Sequence, residues 1–248
     1  MSKNFYAGKN IWIIGGTTGI GLELALQLSN LAENVVISGR SNFESSKQNL
    51  SFIRCDVTKL EEVEESIKQI KIRFNRLDIL IFCAGIYEPM GLKDFNLQKS
   101  QEILDVNFGG FLNLVQNLNF LHRELGLGFL SVVSSIAGYF GMPKSLCYGA
   151  SKAALSNIVE SLFYELKNRV RVQLINPGFV RSRLTDKNNF KMPFLISSKE
   201  AAEIILQNLP KKKFEISFPA VFSILMRLIK ILPYRVRFML LNPLNQDR

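Results

Sequence analysis

Residues Asn10-Ile11-Trp12-Ile13-Ile14-Gly15-Gly16-Thr17-Thr18-Gly19-Ile20-Gly21 decide the fold. Four apolar residues in a row run straight into glycines spaced G-x-x-x-G-x-G, and a helical pattern follows over about 19–32. The stretch therefore reads as strand, turn, helix. Gly15, Gly19 and Gly21 leave room for a tight turn and for backbone close to a pyrophosphate. The first helical N–H groups then point at the phosphates. Glycines often only make a loop. Their place between a strand and a helix, with Thr17, Thr18 and Ile20 between them, makes this a nucleotide-site pattern.

Working outward, the same alternation continues. Val35–Ile37, 51–54, Leu77–Phe82, 127–133, Val170–Ile175 and Lys213–Phe218 read as further strands. Helical patterns lie between them, the longest over 148–168. Thr58 with Glu61, and Ser197 with Glu200, have capping-box spacing. The first of these opens a helix with apolar residues at 63, 67, 70 and 74. Such alternation argues for parallel βαβ units with helices on both sheet faces. No Pro/Gly/Ser linker and no repeat divides the chain, so 1–218 reads as one domain and 219–248 as a C-terminal extension.

Composition narrows the function classes. The 248 residues are 47% hydrophobic and 21% charged, enough apolar material for a sizeable core. A single histidine, His122, excludes a multi-histidine metal site and disfavours a Ser-His-Asp triad, so no metal is expected. Cys55, Cys83 and Cys147 form no CxxC pair, as expected of a reducing, cytoplasmic setting. The first apolar run is too short for a secretory signal, and no stretch reaches the roughly 18 apolar residues of a membrane span.

Tyr148 and Lys152, four apart, share a helix face, and Ser135 lies thirteen residues before Tyr148. Asn107 sits near the start of a preceding helix. With the glycine turn, this set resembles the short-chain dehydrogenase/reductase family and its Asn, Ser and Tyr-x-x-x-Lys constellation. Asp56-Val57 matches the family's adenine-contacting pair, and Asn176-Pro177-Gly178-Phe179-Val180-Arg181-Ser182 resembles its Pro-Gly-x-Val-x-Thr motif. Together the motifs cover residues 10–182 in order.

The resemblance implies an α/β, Rossmann-like doubly wound sheet of about seven parallel strands in the order 3-2-1-4-5-6-7. It implies carbonyl–alcohol interconversion by hydride transfer. Tyr148 would be general acid or base, with its pKa lowered by the Lys152 ammonium, and Ser135 would hold the substrate oxygen. Asn107 would support a proton-relaying water chain, and Lys152 would hold the nicotinamide ribose. Pro177, Gly178, Val180 and Ser182 would flank the nicotinamide, and Ala84 and Gly85 would let the cofactor lie close. Homodimers or homotetramers are implied by analogy.

Two departures stand out. Ile14 replaces the Thr that usually precedes the first glycine, and Phe82-Cys83 replaces the family's two asparagines before Ala84-Gly85. Rossmann enzymes that choose NAD place an acid at the end of the second strand. Gly39-Arg40 stands there, and a guanidinium can hold a 2′-phosphate, so NADP(H) is expected over NAD(H).

Lys and Arg exceed Asp and Glu by 31 to 21, but residues 211–248 alone hold eight against two. This excess is local, and basic and aromatic residues are not interleaved on a groove-reading element, so no nucleic-acid partner is expected. From 219 to 241, 16 of 23 residues are apolar, with Ser223, Arg227 and Lys230 on one helical stripe. Such a helix can lie on a membrane surface, pack on its own or a partner subunit, or close a substrate pocket. The loop 183–196, with Leu184, Phe190, Met192, Phe194 and Leu195 and the interleaved Lys187 and Lys191, favours an apolar substrate. The alternative is an NADP(H)-binding redox sensor or scaffold without catalysis, supported only by the altered 82–83 pair.

Overall fold

A computed structural model describes residues 3–188 and 192–242. Seven parallel strands form one sheet: β1 (Asn10–Ile14), β2 (Asn34–Gly39), β3 (Leu50–Arg54), β4 (Ile79–Phe82), β5 (Phe129–Val133), β6 (Arg171–Pro177) and β7 (Glu215–Phe218). Their spatial order is β3-β2-β1-β4-β5-β6-β7, as the resemblance implies. The order reverses beside β1, so the crevice between the β1 and β4 turns is the switch point of a doubly wound sheet.

Strand residues alternate between two buried faces. Trp12 and Ile14 point into one core, with helices α2 (Leu60–Phe74), α4 (Gly110–Val115), α5 (Leu118–Leu125) and α6 (Leu146–Glu165) packed over it. Ile11 and Ile13 point into the other, under α1 (Gly19–Leu28) and α7 (Ser198–Asn208). Burial on both faces is why the strands read as unbroken apolar runs. α3 (Leu97–Leu104) leads through a turn of π-helix, Asp105–Gly109, into α4.

Several boundaries differ from the sequence reading. α1 stops at Leu28, where the Leu31 and Ala32 N–H groups both fold back onto the Leu28 carbonyl. The Thr58–Glu61 capping box does not form, because Thr58 Oγ1 donates to Asp56 Oδ1 (2.8 Å). Glu62 closes the turn instead by accepting the Asp56 N–H at 2.8 Å. The Ser197–Glu200 box forms with both of its hydrogen bonds.

The C-terminal segment folds as α8 (Ala220–Ile231) and α9 (Tyr234–Leu241). The polar stripe of α8 lies against the domain. Ser223 is buried and donates to Ser217 Oγ (2.7 Å), Arg227 pairs with Glu215 (2.7 Å), and the Lys230 ammonium sits over the Tyr139 ring.

Candidate active site

One cleft of about 1210 Å³ opens at the C-terminal ends of the strands. Its nucleotide half begins with the turn after β1. The Gly15 and Gly16 N–H groups donate to the Ser38 carbonyl (2.8 and 3.1 Å), and the Cys83 N–H donates to the Ile14 carbonyl (2.7 Å). Gly15 has φ 83°, and a Cβ there would come within 2.5 Å of the Ala84 backbone nitrogen. Only glycine fits. These backbone bonds hold the turn although Ile14 replaces the usual Thr, and Ile14 itself is buried in the core.

At the end of β2, a Cβ on residue 39 would meet the Thr17 side chain at 2.9 Å. The place where an acid selects NAD is thus filled from the glycine turn. Arg40 follows, exposed on the rim of the cleft. Asp56 and Val57 line the wall beyond it. One Asp56 oxygen is occupied by the Thr58 N–H (3.1 Å) and hydroxyl (2.8 Å).

The altered 82–83 pair is braced differently. Phe82 is fully buried and meets Phe111 edge-to-face, with centroids 5.1 Å apart. Cys83 lines the cleft, and burial pushes its thiol up to about 12 against a small opposing pull from Lys152. It is a neutral filler.

α6 begins at Leu146 and carries Tyr148 and Lys152 into the cleft. Lys152 Nζ donates to the Val133 carbonyl (3.1 Å) and lies 5.9 Å from the Tyr148 ring centroid. Burial lowers the Lys152 ammonium to about 8, with Cys83 opposing slightly. Burial likewise raises the Tyr148 phenol above its ordinary 10.0, and the Ser135 hydroxyl pulls it back down. Desolvation sets the direction, the reverse of the lowering by Lys152 expected from sequence. Ser135 receives the Ala137 N–H (3.1 Å) and faces the cleft. Its neighbour Ser134 is committed to α6 through the Lys152 carbonyl and Ser156 hydroxyl, both at 2.9 Å.

Asn107 is the exception among the expected site residues. It is fully buried behind Gly85 and does not line the cleft. Its Oδ1 accepts the Ile86 N–H (2.7 Å), and its Nδ2 donates to the Ile86 carbonyl (3.0 Å) and Ser151 Oγ (2.9 Å). Ser151 in turn donates to the Tyr148 carbonyl (2.7 Å). Asn107 therefore ties the 84–86 segment to the helix that carries Tyr148. Gly15, Thr17, Thr18, Gly19, Ile20, Gly21, Ala84, Gly85, Pro177, Gly178, Val180 and Ser182 all line the same cleft.

Sequence reasoning did not single out Tyr87. Its ring meets Tyr148 edge-to-face at 4.8 Å and its hydroxyl donates to Asn188 Oδ1 (2.7 Å). Sequence reasoning offers closure of a substrate pocket as one reading of 219–241 without naming residues, and Phe222, Leu225, Met226, Ile229, Leu240 and Leu241 of that segment form the far end of the cleft with Met142 and Phe179. Leu184 also lines the cleft, and Phe194 lies over Phe222, with centroids 5.9 Å apart. Phe190 and Lys191 fall outside the described residues.

The family model of short chain dehydrogenases matches residues 9–192. The chain is a short-chain dehydrogenase. It is 32% identical over 231 residues to an uncharacterized oxidoreductase of Myxococcus xanthus, covering 89% of this chain and 91% of that one. A Burkholderia cenocepacia short chain dehydrogenase solved with NADP superposes with TM-score 0.84 at 22% identity, covering 95% and 98% of the two chains. The NADP-bound protein ElxO superposes with TM-score 0.74 at 26% identity, covering 85% and 96%. This short-chain dehydrogenase therefore shares both family and sheet order with known oxidoreductases.

Proposed function

We propose that the chain is an NADP(H)-dependent oxidoreductase that interconverts an apolar or lipidic carbonyl compound and its alcohol. The observation that carries this reading is that Ser135, Tyr148 and Lys152 share one cleft with the glycine turn and Arg40. The residues fit a dinucleotide phosphate. Gly15–Gly21 would cradle the pyrophosphate, Arg40 would take the 2′-phosphate, and Asp56 and Val57 would meet the adenine. Ala84, Gly85, Pro177, Gly178, Val180 and Ser182 would flank the nicotinamide, and Lys152 would hold its ribose. When bound, such a nucleotide supplies a hydride donor or acceptor. The NADP in the structures of the two similar proteins supports this cofactor.

The chain's own groups handle the proton. In reduction, Tyr148 Oη gives its proton to the substrate oxygen, which Ser135 positions by a hydrogen bond. In oxidation Tyr148 takes that proton back. Lys152, at about 8, keeps its charge at neutral pH, and with its Nζ 5.9 Å from the Tyr148 ring centroid it would favour a forming phenolate. The apolar far end, from Met142 and Phe179 to Leu241, supports an apolar substrate. Half-exposed Phe163 and exposed Tyr164 on α6 support a homodimer or homotetramer.

The test is NADPH oxidation across a carbonyl panel from short ketones to acyl thioesters, steroids and retinal. Tyr148→Phe should lose about 10²- to 10⁴-fold in turnover while binding NADPH as before. Undiminished activity in that variant would refute the assignment.

A further inference from the structure

We propose that α8 and α9 form a docking face for an anionic lipid bilayer, through which an apolar substrate reaches Tyr148. α8 is built inside out. A helix on the surface of a soluble domain turns its polar side to water. Here Ser223 and Arg227 are bonded to β7, and the outer face carries Val221 (65% exposed), Ile224 (58%), Leu228 (55%) and Ile231 (78%). α9 continues the apolar surface with Phe238 and Met239. A contiguous apolar face of this kind marks an interaction surface.

Charge selects the occupant. Residues 216–242 hold four Lys/Arg and no Asp/Glu. Arg227 is neutralised by Glu215 and Arg237 is buried over the Phe140 and Tyr234 rings, which leaves exposed Arg235 beside the apolar face, and exposed Lys230, whose charge no carboxylate among the described residues answers although its ammonium sits over the Tyr139 ring. A second copy docked two-fold would set this cationic face against itself. Anionic headgroups complement it, each cation adding to the attraction. No helix among the described residues is long and apolar enough to cross a bilayer, so the pair would lie in the interface.

The face is also continuous with the cleft. Leu225 and Leu240 are each about half exposed and each lines the cleft on its other side. An apolar molecule can therefore pass from the lipid to the far end of the site without crossing water. This last step rests on the carbonyl-reductase reading, whereas the docking does not.

Flotation of the full chain with phosphatidylglycerol-rich vesicles and with pure phosphatidylcholine vesicles, without substrate or cofactor, separates the two claims. The protein should float with the anionic vesicles and far less with the neutral ones. Ile224→Glu/Leu228→Glu/Met239→Glu, at residues outside the cleft lining, should stay unbound yet still reduce a water-soluble carbonyl. Arg235→Gln, a milder change, should weaken binding about fivefold. No flotation, or flotation indifferent to both variants, overturns the proposal. A concentration-dependent dimer that the triple variant abolishes, without vesicle binding, assigns the face to a second copy instead.

Discussion

Lys152 is 4% exposed, and the nearest acceptor of its ammonium is a neutral carbonyl, that of Val133 at 3.1 Å. Burial brings its pKa from 10.5 to about 8, so the charged form is disfavoured in the folded state. Below pH 8 both folded and unfolded chains are protonated and the whole penalty is present. Between about 8 and 10.5 the folded chain sheds its proton first, and the penalty fades as pH rises. The shift corresponds to about 3 kcal/mol, less about 1 kcal/mol for the bond to Val133. Lys152→Met should therefore raise urea-measured stability by about 2 kcal/mol at pH 7, by less at pH 9.5, and abolish turnover. A variant that is less stable at pH 7 would show that the lysine holds the fold rather than straining it for chemistry. Arg40 lies at the opposite end of the cleft, exposed and without a carboxylate partner among the described residues. Losing a charge-assisted bond to phosphate costs about tenfold or more in affinity. Steady-state kinetics of Arg40→Ala should show that rise in KM for NADPH and almost none for NADH.

At the scale of elements, α8 is held by a polar knot. Glu215 on β7 receives Tyr139 Oη (2.5 Å), Asn176 Nδ2 (2.8 Å) and the Arg227 guanidinium (2.7 Å). Burial pushes its carboxyl up, but these three donors together push it further down, below the ordinary 4.5. The contribution is thus present above pH 4.5 and is lost as pH falls through the lower folded value. A glutamine amide cannot accept from all three donors. Glu215→Gln should cost about 1–3 kcal/mol at pH 7, and the difference from wild type should vanish in acid. Because Phe222, Met226 and Ile229 line the cleft, loosening α8 should also raise KM for an apolar substrate without changing NADPH affinity. If the two KM values move together, α8 does not shape the substrate end.

For the whole molecule, what the sequence reveals follows the range of each interaction. The strands and the Tyr148–Lys152 pair are readable because doubly buried strands are apolar throughout and helix spacing is local, whereas the strand order follows only from the family resemblance. The withdrawal of Asn107 behind Gly85 depends on a π-turn and on Ile86, twenty-one residues away, which no local pattern encodes. The orientation of α8 is equally hidden: its Arg227 answers Glu215, which precedes the helix on another element, so the apolar face is left outside. The cleft, by contrast, gathers the turns after β1, β2, β3, β4, β5 and β6, six separate connections. A nucleotide touching all of them binds only the assembled sheet, so its binding energy appears as global stability. NADPH at 100 times its Kd should add about 2.7 kcal/mol, which for a chain of this size raises Tm by about 5–10 °C. NADH at the same concentration should raise it less, and Arg40→Ala should bring the two shifts together. Equal shifts in the unaltered protein, read by thermal denaturation, would remove the 2′-phosphate from the role given to Arg40.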